Sequence, residues 1–365
     1  MWLGGALLSA CATSERATVE AAFHGDLLRP VHVDAARLAR ARVEGADTIV
    51  LDLHDALPDA TATAAAAAVR AAGLRLGYWL EVGRSPALAA AHPQWLASLQ
   101  GHTEWRGQFP QLGKPAAGQV VKTWPWVPVA YAEAFAAHRE RIAQQLAMLP
   151  PADFVFLNDL QGPPASCGCG NVLCRWATDY TLHGRLPLRA ATPLGHDAGA
   201  RFVAAVQLLA PASEVIPVWV TECEEADTVA DGACCGVGCY TGACWREFDR
   251  QWQALQEVAP RIALLLPYEA FGRDLPRYGT KAGWVRFAID HLRARSQARY
   301  PREIAPGALM AVLQGWGDTV SPSVQRAQAV AAGVHSTLVA HEAIDQSWRP
   351  LLVQVEPGNG TTGAK

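Results

Sequence analysis

Short apolar runs alternate with stretches of helical periodicity along most of this chain. Thr48–Leu53 reads as a buried strand, and the alanine-rich stretch Asp59–Ala72 as a helix closed by Gly73. Leu74–Glu81 reads as the next strand, followed by helical turns over Pro86–Leu99 that Pro93 interrupts. Gln119–Lys122 is a third strand, and Val129–Leu149 a long amphipathic helix with Ala130, Ala134, Ala137, Ile142 and Leu146 near one face. Asp153–Asp159 and Glu214–Glu222 give the fourth and fifth strands, with a helix over His196–Leu209 between them. After a helix over Trp245–Val258, strands follow at Ile262–Leu266, Leu309–Leu313 and Ser336–Ala340. Helices over Ala282–Arg295 and Ser323–Ala332 separate those three.

This alternation predicts an α/β fold, a (β/α)8 TIM barrel in a single domain. A doubly wound open sheet is the main rival, but no Gly-x-Gly-x-x-Gly loop follows the first strand. The barrel is expected over residues 23–356, with a separate N-terminal segment over 1–22 and a disordered Gly- and Thr-rich tail over 357–365.

Composition narrows the function classes. Of 365 residues, 18% are charged and the formal net charge is −3, which leaves no basic stripe for nucleic acid. Thirteen tryptophans exceed what such a core needs, so some are expected in a cleft. No stretch is long and apolar enough to span a bilayer. The N-terminal Leu8-Ser9-Ala10-Cys11 resembles a bacterial lipobox, in which the cysteine is lipidated, although the positive leader region is missing. The expectation is an exported protein whose only membrane attachment is a lipid on Cys11.

In a barrel, chemistry is carried where the strands end. Those positions hold Asp52, then Trp79 and Glu81, then Lys122, Trp124 and Trp126. Asn158, Asp159 and Gln161 follow, then Glu222, Tyr268, Gln314 with Trp316, and His341 with Glu342. Indoles stack on sugar rings while carboxylates and amides bond hydroxyls, so this rim suits a carbohydrate. Asp159 and Glu222, on neighbouring strands, are the candidate catalytic pair, because glycoside hydrolysis sets two carboxyl groups about the scissile bond. The other rim residues are expected to bind substrate.

Cysteines are the other concentrated chemistry. Apart from Cys11 they fall in two groups, Cys167, Cys169 and Cys174 after the fourth strand, and Cys223, Cys234, Cys235, Cys239 and Cys244 after the fifth. Three readings stay open. Disulfides suit an exported chain, and the two groups allow roughly a hundred pairings. A structural zinc would take Cys167, Cys169, Cys174 and one of the second group, such as Cys234. An iron–sulfur cluster would also need four thiolates.

Phe156–Asp159 followed by Cys167-x-Cys169-x4-Cys174-Arg175 resembles TIM-barrel glycoside hydrolases in which a strand-four acid precedes a Cys-x-Cys-x-x-Cys segment. The segment Ala91–Leu96 and the segment Val339–Trp348 are similar to phrases of uncharacterised glycosidases of that kind. The resemblance implies a glycosidase that needs no cofactor, or one that holds a structural zinc on these cysteines. This chain departs by two extra residues in the cysteine spacing and by Gln314 where the last-but-one strand would end in an acid. An acid pair on strands four and five is similar to the α-amylase arrangement, which implies Asp159 as nucleophile and Glu222 as general acid/base. Two alternatives remain: a carbohydrate-binding lipoprotein on a catalytically degenerate barrel, and a metal or redox enzyme using the cysteine groups. Oligomeric state is not legible.

Overall fold

The computed structural model describes residues 22–92, 120–123, 127–129, 132–160, 197–220, 251–266, 283–299, 304–305, 307–317, 320–342 and 351–354. The strands are β1 (His24–Leu28), β2 (Thr48–His54), β3 (Arg75–Glu81), β4 (Val120–Thr123), β5 (Phe154–Asn158), β6 (Glu214–Val220), β7 (Ile262–Leu266), β8 (Leu309–Gln314), β9 (Ser336–Ala340) and β10 (Leu351–Gln354). The helices are α1 (Ala35–Val43), α2 (Ala60–Ala71), α3 (Pro86–Ala91), α4 (Ala132–Ala147), α5 (Ala198–Leu209), α6 (Trp284–Arg299) and α7 (Pro322–Ala331).

Eight parallel strands close in the order β1-β2-β3-β5-β6-β7-β8-β9, which is the expected barrel. Two of the strand assignments are corrected. The run at Gln119–Lys122 is a strand but not a barrel stave: β4 pairs antiparallel with β10 in a separate two-stranded sheet. The missing stave is β1, which pairs in parallel with both β2 and β9. The predicted count stays at eight because one strand too many offsets one too few. Thr48–Leu53 therefore belongs to the second stave, while Asp159 still follows the fourth.

Alternation along each stave sorts its side chains into two cores. Phe23, Leu27, Val50, Trp79, Phe154, Phe156, Ile216, Val218, Met310 and Val312 fill the barrel interior. Their neighbours in sequence pack outward under the helices, among them Ile49, Leu51, Tyr78, Leu80, Val155 and Leu157. Gly77 faces inward, and a Cβ there would lie 2.9 Å from Val50 Cγ2. That absence of side chain leaves space for Val50 and for the ring of Phe156, which stacks on Trp79 at 5.9 Å. The amino end is closed by Arg75 and Arg261, whose guanidinium carbons stand 5.1 and 5.7 Å from the Phe154 ring centroid.

Helix starts follow the local sequence. Asp34, Asp59 and Ser85 each accept a main-chain N–H three residues on, capping α1, α2 and α3. Helix α4 buries Ala134 and Ile142 as its apolar pattern predicts, but the same face also buries His138, Arg141 and Gln145.

Candidate active site at the carboxyl end of the barrel

Counting two residues on from the inward-facing Val50, Trp79, Phe156 and Val312 gives Asp52, Glu81, Asn158 and Gln314. The last interior layer on these four staves is therefore polar, and all four residues are buried. This layer is where the strand-end rule predicts the site to be.

Glu81 is the hub. Its Oε1 accepts from Trp79 Nε1 at 3.1 Å and from Asn158 Nδ2 at 3.2 Å, and pairs with Arg84 Nη2 at 2.8 Å. Its Oε2 accepts from Asn158 Nδ2 at 2.9 Å. Burial works against the charged form of Glu81. The Arg84 guanidinium and hydrogen bonds with Asp159, Trp79 and Asn158 outweigh it, so the carboxyl is held below its ordinary value. Arg84 also reaches Asp159, Nε to Oδ2, at 3.8 Å.

Asp52, on the neighbouring stave, goes the other way. Burial, helped by the negative charge of Glu81, pushes its carboxyl up to about 6 against the opposing pull of His54 and Arg84. The main-chain N–H of His54 donates to Asp52 Oδ1 at 3.2 Å, and His54 Nδ1 stands 3.4 Å from the same oxygen.

Two non-glycine residues among the described ones have positive φ, His54 at 51° and Asp159 at 61°. Each lies at the carboxyl end of a stave beside the cluster. Left-handed backbone at a residue with a side chain is uncommon, is tolerated best by Asn, Asp and His, and persists where surrounding contacts enforce it.

One ligand atom each from Asp52, His54 and Glu81 lies within 4.8 Å of the others, a spacing a metal ion would accept. The positive charge on Glu81, however, is already supplied by Arg84, both side chains being almost fully buried.

The other expected site residues divide. Asp52, Glu81, Asn158 and Asp159 come together as described. Trp79 is corrected: it has no exposed surface, because its alternation turns it into the barrel axis, and its indole serves Glu81 instead of a sugar. Glu81 and Asn158 are likewise covered, each with 1% of its surface exposed. Gln314 sits in the same layer and donates to the Trp316 carbonyl at 3.0 Å, while Trp316 packs half-buried against the interior core. His341 stands 3.0 Å from Asp26, and Glu342 pairs with Arg29 at 2.7 Å and with His32, so both bind the β9–β1 seam. Glu222, Trp124, Trp126, Gln161, Tyr268, Cys167, Cys169, Cys174, Cys234 and Cys11 lie outside the described residues, as does the side chain of Lys122. Arg84 was not anticipated, although a cation three residues after a strand-end acid is a usable signal.

No family model and no curated protein matches the chain. Among solved structures, the catalytic domain of a hyperthermophilic chitinase from Pyrococcus furiosus is 9% identical, with a TM-score of 0.44 over 88% of this chain and 84% of that one. The spore cortex-lytic enzyme SleL of Bacillus cereus is also 9% identical, at a TM-score of 0.43 over 88% and 71%. An HpcH/HpaI aldolase from Desulfitobacterium hafniense is 11% identical, at 0.38 over 87% and 86%. Likeness at this level carries no argument about chemistry, and the barrel stands on its own strand order.

Proposed function

We propose that the chain is a glycoside hydrolase whose reaction takes place at the barrel mouth beside Asp159. The observation that carries this reading is the set of neighbouring carboxyl groups in opposed environments, Asp52 pushed up to about 6 and Glu81, which bonds Asp159, held down. Hydrolysis near neutral pH needs one acid protonated and another ionised, and neighbouring groups driven apart in this way provide both states. In this reading Asp159, beside Arg84, is the nucleophile once it has given up the proton of its hydrogen bond with Glu81, and Glu222, two residues past β6 in sequence, is the general acid/base. Asp52, beside Glu81, holds its proton up to about pH 6. The same proposal makes the protein an exported lipoprotein anchored through Cys11, with its two cysteine groups in disulfides. The lipobox-like Leu8–Cys11 and the clustering of cysteines after two strands support that part.

The test is a screen of nitrophenyl glycosides and soluble polysaccharides for released chromophore or reducing ends. Asp159→Asn and Glu222→Gln should each lower turnover by about 10³-fold while ligand binding persists. Cleavage that both variants retain at the wild-type rate would overturn the assignment. Binding without cleavage by any variant or by the wild type would replace it with a carbohydrate-binding barrel.

A further inference from the structure

Helix α4 buries polar side chains where a barrel helix ordinarily buries apolar ones, and they reach main-chain carbonyls behind the carboxyl cluster. His138, Arg141 and Gln145 are three and four residues apart, hence on one face. Arg141 Nη2 donates to the Glu81 carbonyl at 2.6 Å, and its Nη1 to Gln145 Oε1 at 3.2 Å. Gln145 Nε2 donates to the carbonyls of Ala56 at 2.7 Å and His54 at 3.4 Å. His138 Nε2 donates to the Val127 carbonyl at 2.7 Å.

These carbonyls need partners. The β2–β3 ladder shifts register between Asp52 and His54, His54 pairs with Leu80 and is left-handed, and there the ladder ends, so Ala56 lies past it. An apolar helix face would take these partners from the buried Glu81 carbonyl and from the part-buried carbonyls of His54 and Ala56. Burial draws the Arg141 guanidinium down to about 10, with the charges of Asp55 and Glu81 opposing, so it stays cationic at neutral pH.

We propose that Arg141 and Gln145 are positioning residues that tie the carboxyl ends of β2 and β3 together from outside the barrel, so that Asp52, His54 and Glu81 face one another at its mouth. The tie acts through the backbone of Glu81, His54 and Ala56, and neither residue touches the reacting atoms. Its consequence for activity rests on the hydrolase reading above; the tie itself does not.

The experiment is a carbon-13 NMR titration of the Asp52 and Glu81 carboxyl groups in the full chain, wild type against Gln145→Leu, Arg141→Met and Arg141→Lys. Glu81 is faced by Arg84, Asp159, Asp52 and the charge of Arg141, and Asp52 by His54, Glu81 and Arg84, so Asp52 in Gln145→Leu reports on geometry alone and Glu81 in Arg141→Met on geometry and charge together. Gln145→Leu should raise the Asp52 midpoint by about half a pH unit or more, because the His54 N–H that favours the carboxylate is released. Arg141→Met should raise the Glu81 midpoint by about the same amount, and Arg141→Lys should restore most of it. A purely structural role would lower the melting temperature of folded variants and leave both midpoints within about 0.2 unit of wild type, which would overturn the proposal. Should Arg141→Met not fold, the unmoved Asp52 midpoint in Gln145→Leu is sufficient to overturn it. None of these readouts needs a substrate, so a failed glycosidase screen and a failed tie are separate results.

Discussion

Arg84 and Glu81 form an ion pair at 2.8 Å in which the two side chains are 4% and 1% exposed. A pair this deep is held less by its own attraction than by the donors around it, because both charges have left water. Trp79 and Asn158 complete the coordination of Glu81, and Arg84 extends toward Asp159. Arg84 is therefore the cation that two carboxyl groups, Glu81 and Asp159, share.

Removing one partner should be costly. Arg84→Met leaves Glu81 buried without its cation and is expected to destabilise the fold by about 3–5 kcal/mol. The double variant Arg84→Met with Glu81→Gln should recover part of that loss, since Glu81 then carries no uncompensated charge and only Asp159 has lost its cation. Urea unfolding of the two variants and the wild type measures both quantities. A single variant as stable as wild type would mean that Glu81 takes up a proton freely, against its lowered pKa.

The barrel and the site were not equally legible in the sequence. Ile262–Leu266 and Leu309–Gln314 are buried on both faces, and such near-continuous apolar runs identify staves directly. His24–Leu28 escaped notice because only Leu27 and Leu28 make it apolar, while Gly25 faces a crowded interior and Asp26 takes ion partners. Val120–Thr123 looks like a stave because β-branched residues suit any sheet; the pattern does not say which sheet. Asp52, Glu81, Asn158 and Asp159 were found by the rule that strand ends carry chemistry. Arg141 and Gln145 were not, since polar residues on an amphipathic helix read as its solvated face. Only their partners, main-chain carbonyls of loops remote in sequence, make them interior, and no periodicity encodes that.

Asp52 gives a pH signature with a definite sign. Its folded-state pKa of about 6 lies above the ordinary aspartate value of 3.8, so the native state holds this proton more tightly than the unfolded chain. That contribution to stability is present at low pH and is lost as pH rises from about 4 through about 6. Asp52→Asn fixes the neutral form. It should match wild type near pH 4 and exceed it at pH 8 by an amount on the order of 1–3 kcal/mol. Denaturant titrations at the two values test this, and a difference that does not grow with pH would refute it.

His138 should act oppositely. Burial, with the Arg141 charge adding to it, draws its pKa from 6.5 down to about 3, and the neutral ring donates to the Val127 carbonyl. The unfolded chain takes up a proton here before the native state does, so this stability is present above about pH 6.5 and drains away as pH falls toward 3. His138→Gln keeps a donor without a titrating group, and its stability should fall less steeply than wild type between pH 6.5 and 4. Melting temperatures across that interval decide the matter; parallel curves would show that His138 does not titrate as its burial implies.

Asp159 carries two separable properties, its charge and its left-handed backbone at φ 61°. Asparagine accepts that backbone nearly as well as aspartate, whereas alanine does not, and misfit there costs about 1 kcal/mol. Asp159→Asn should therefore keep wild-type stability and Asp159→Ala should lose about 1 kcal/mol, while both remove the carboxylate beside Arg84 and Glu81. If Asp159 is the nucleophile, both variants lose turnover to the same degree despite their different stabilities. Activity that tracked stability instead, with Asp159→Asn close to wild type, would assign Asp159 to shaping the strand end and would move the chemistry to another carboxylate of the mouth.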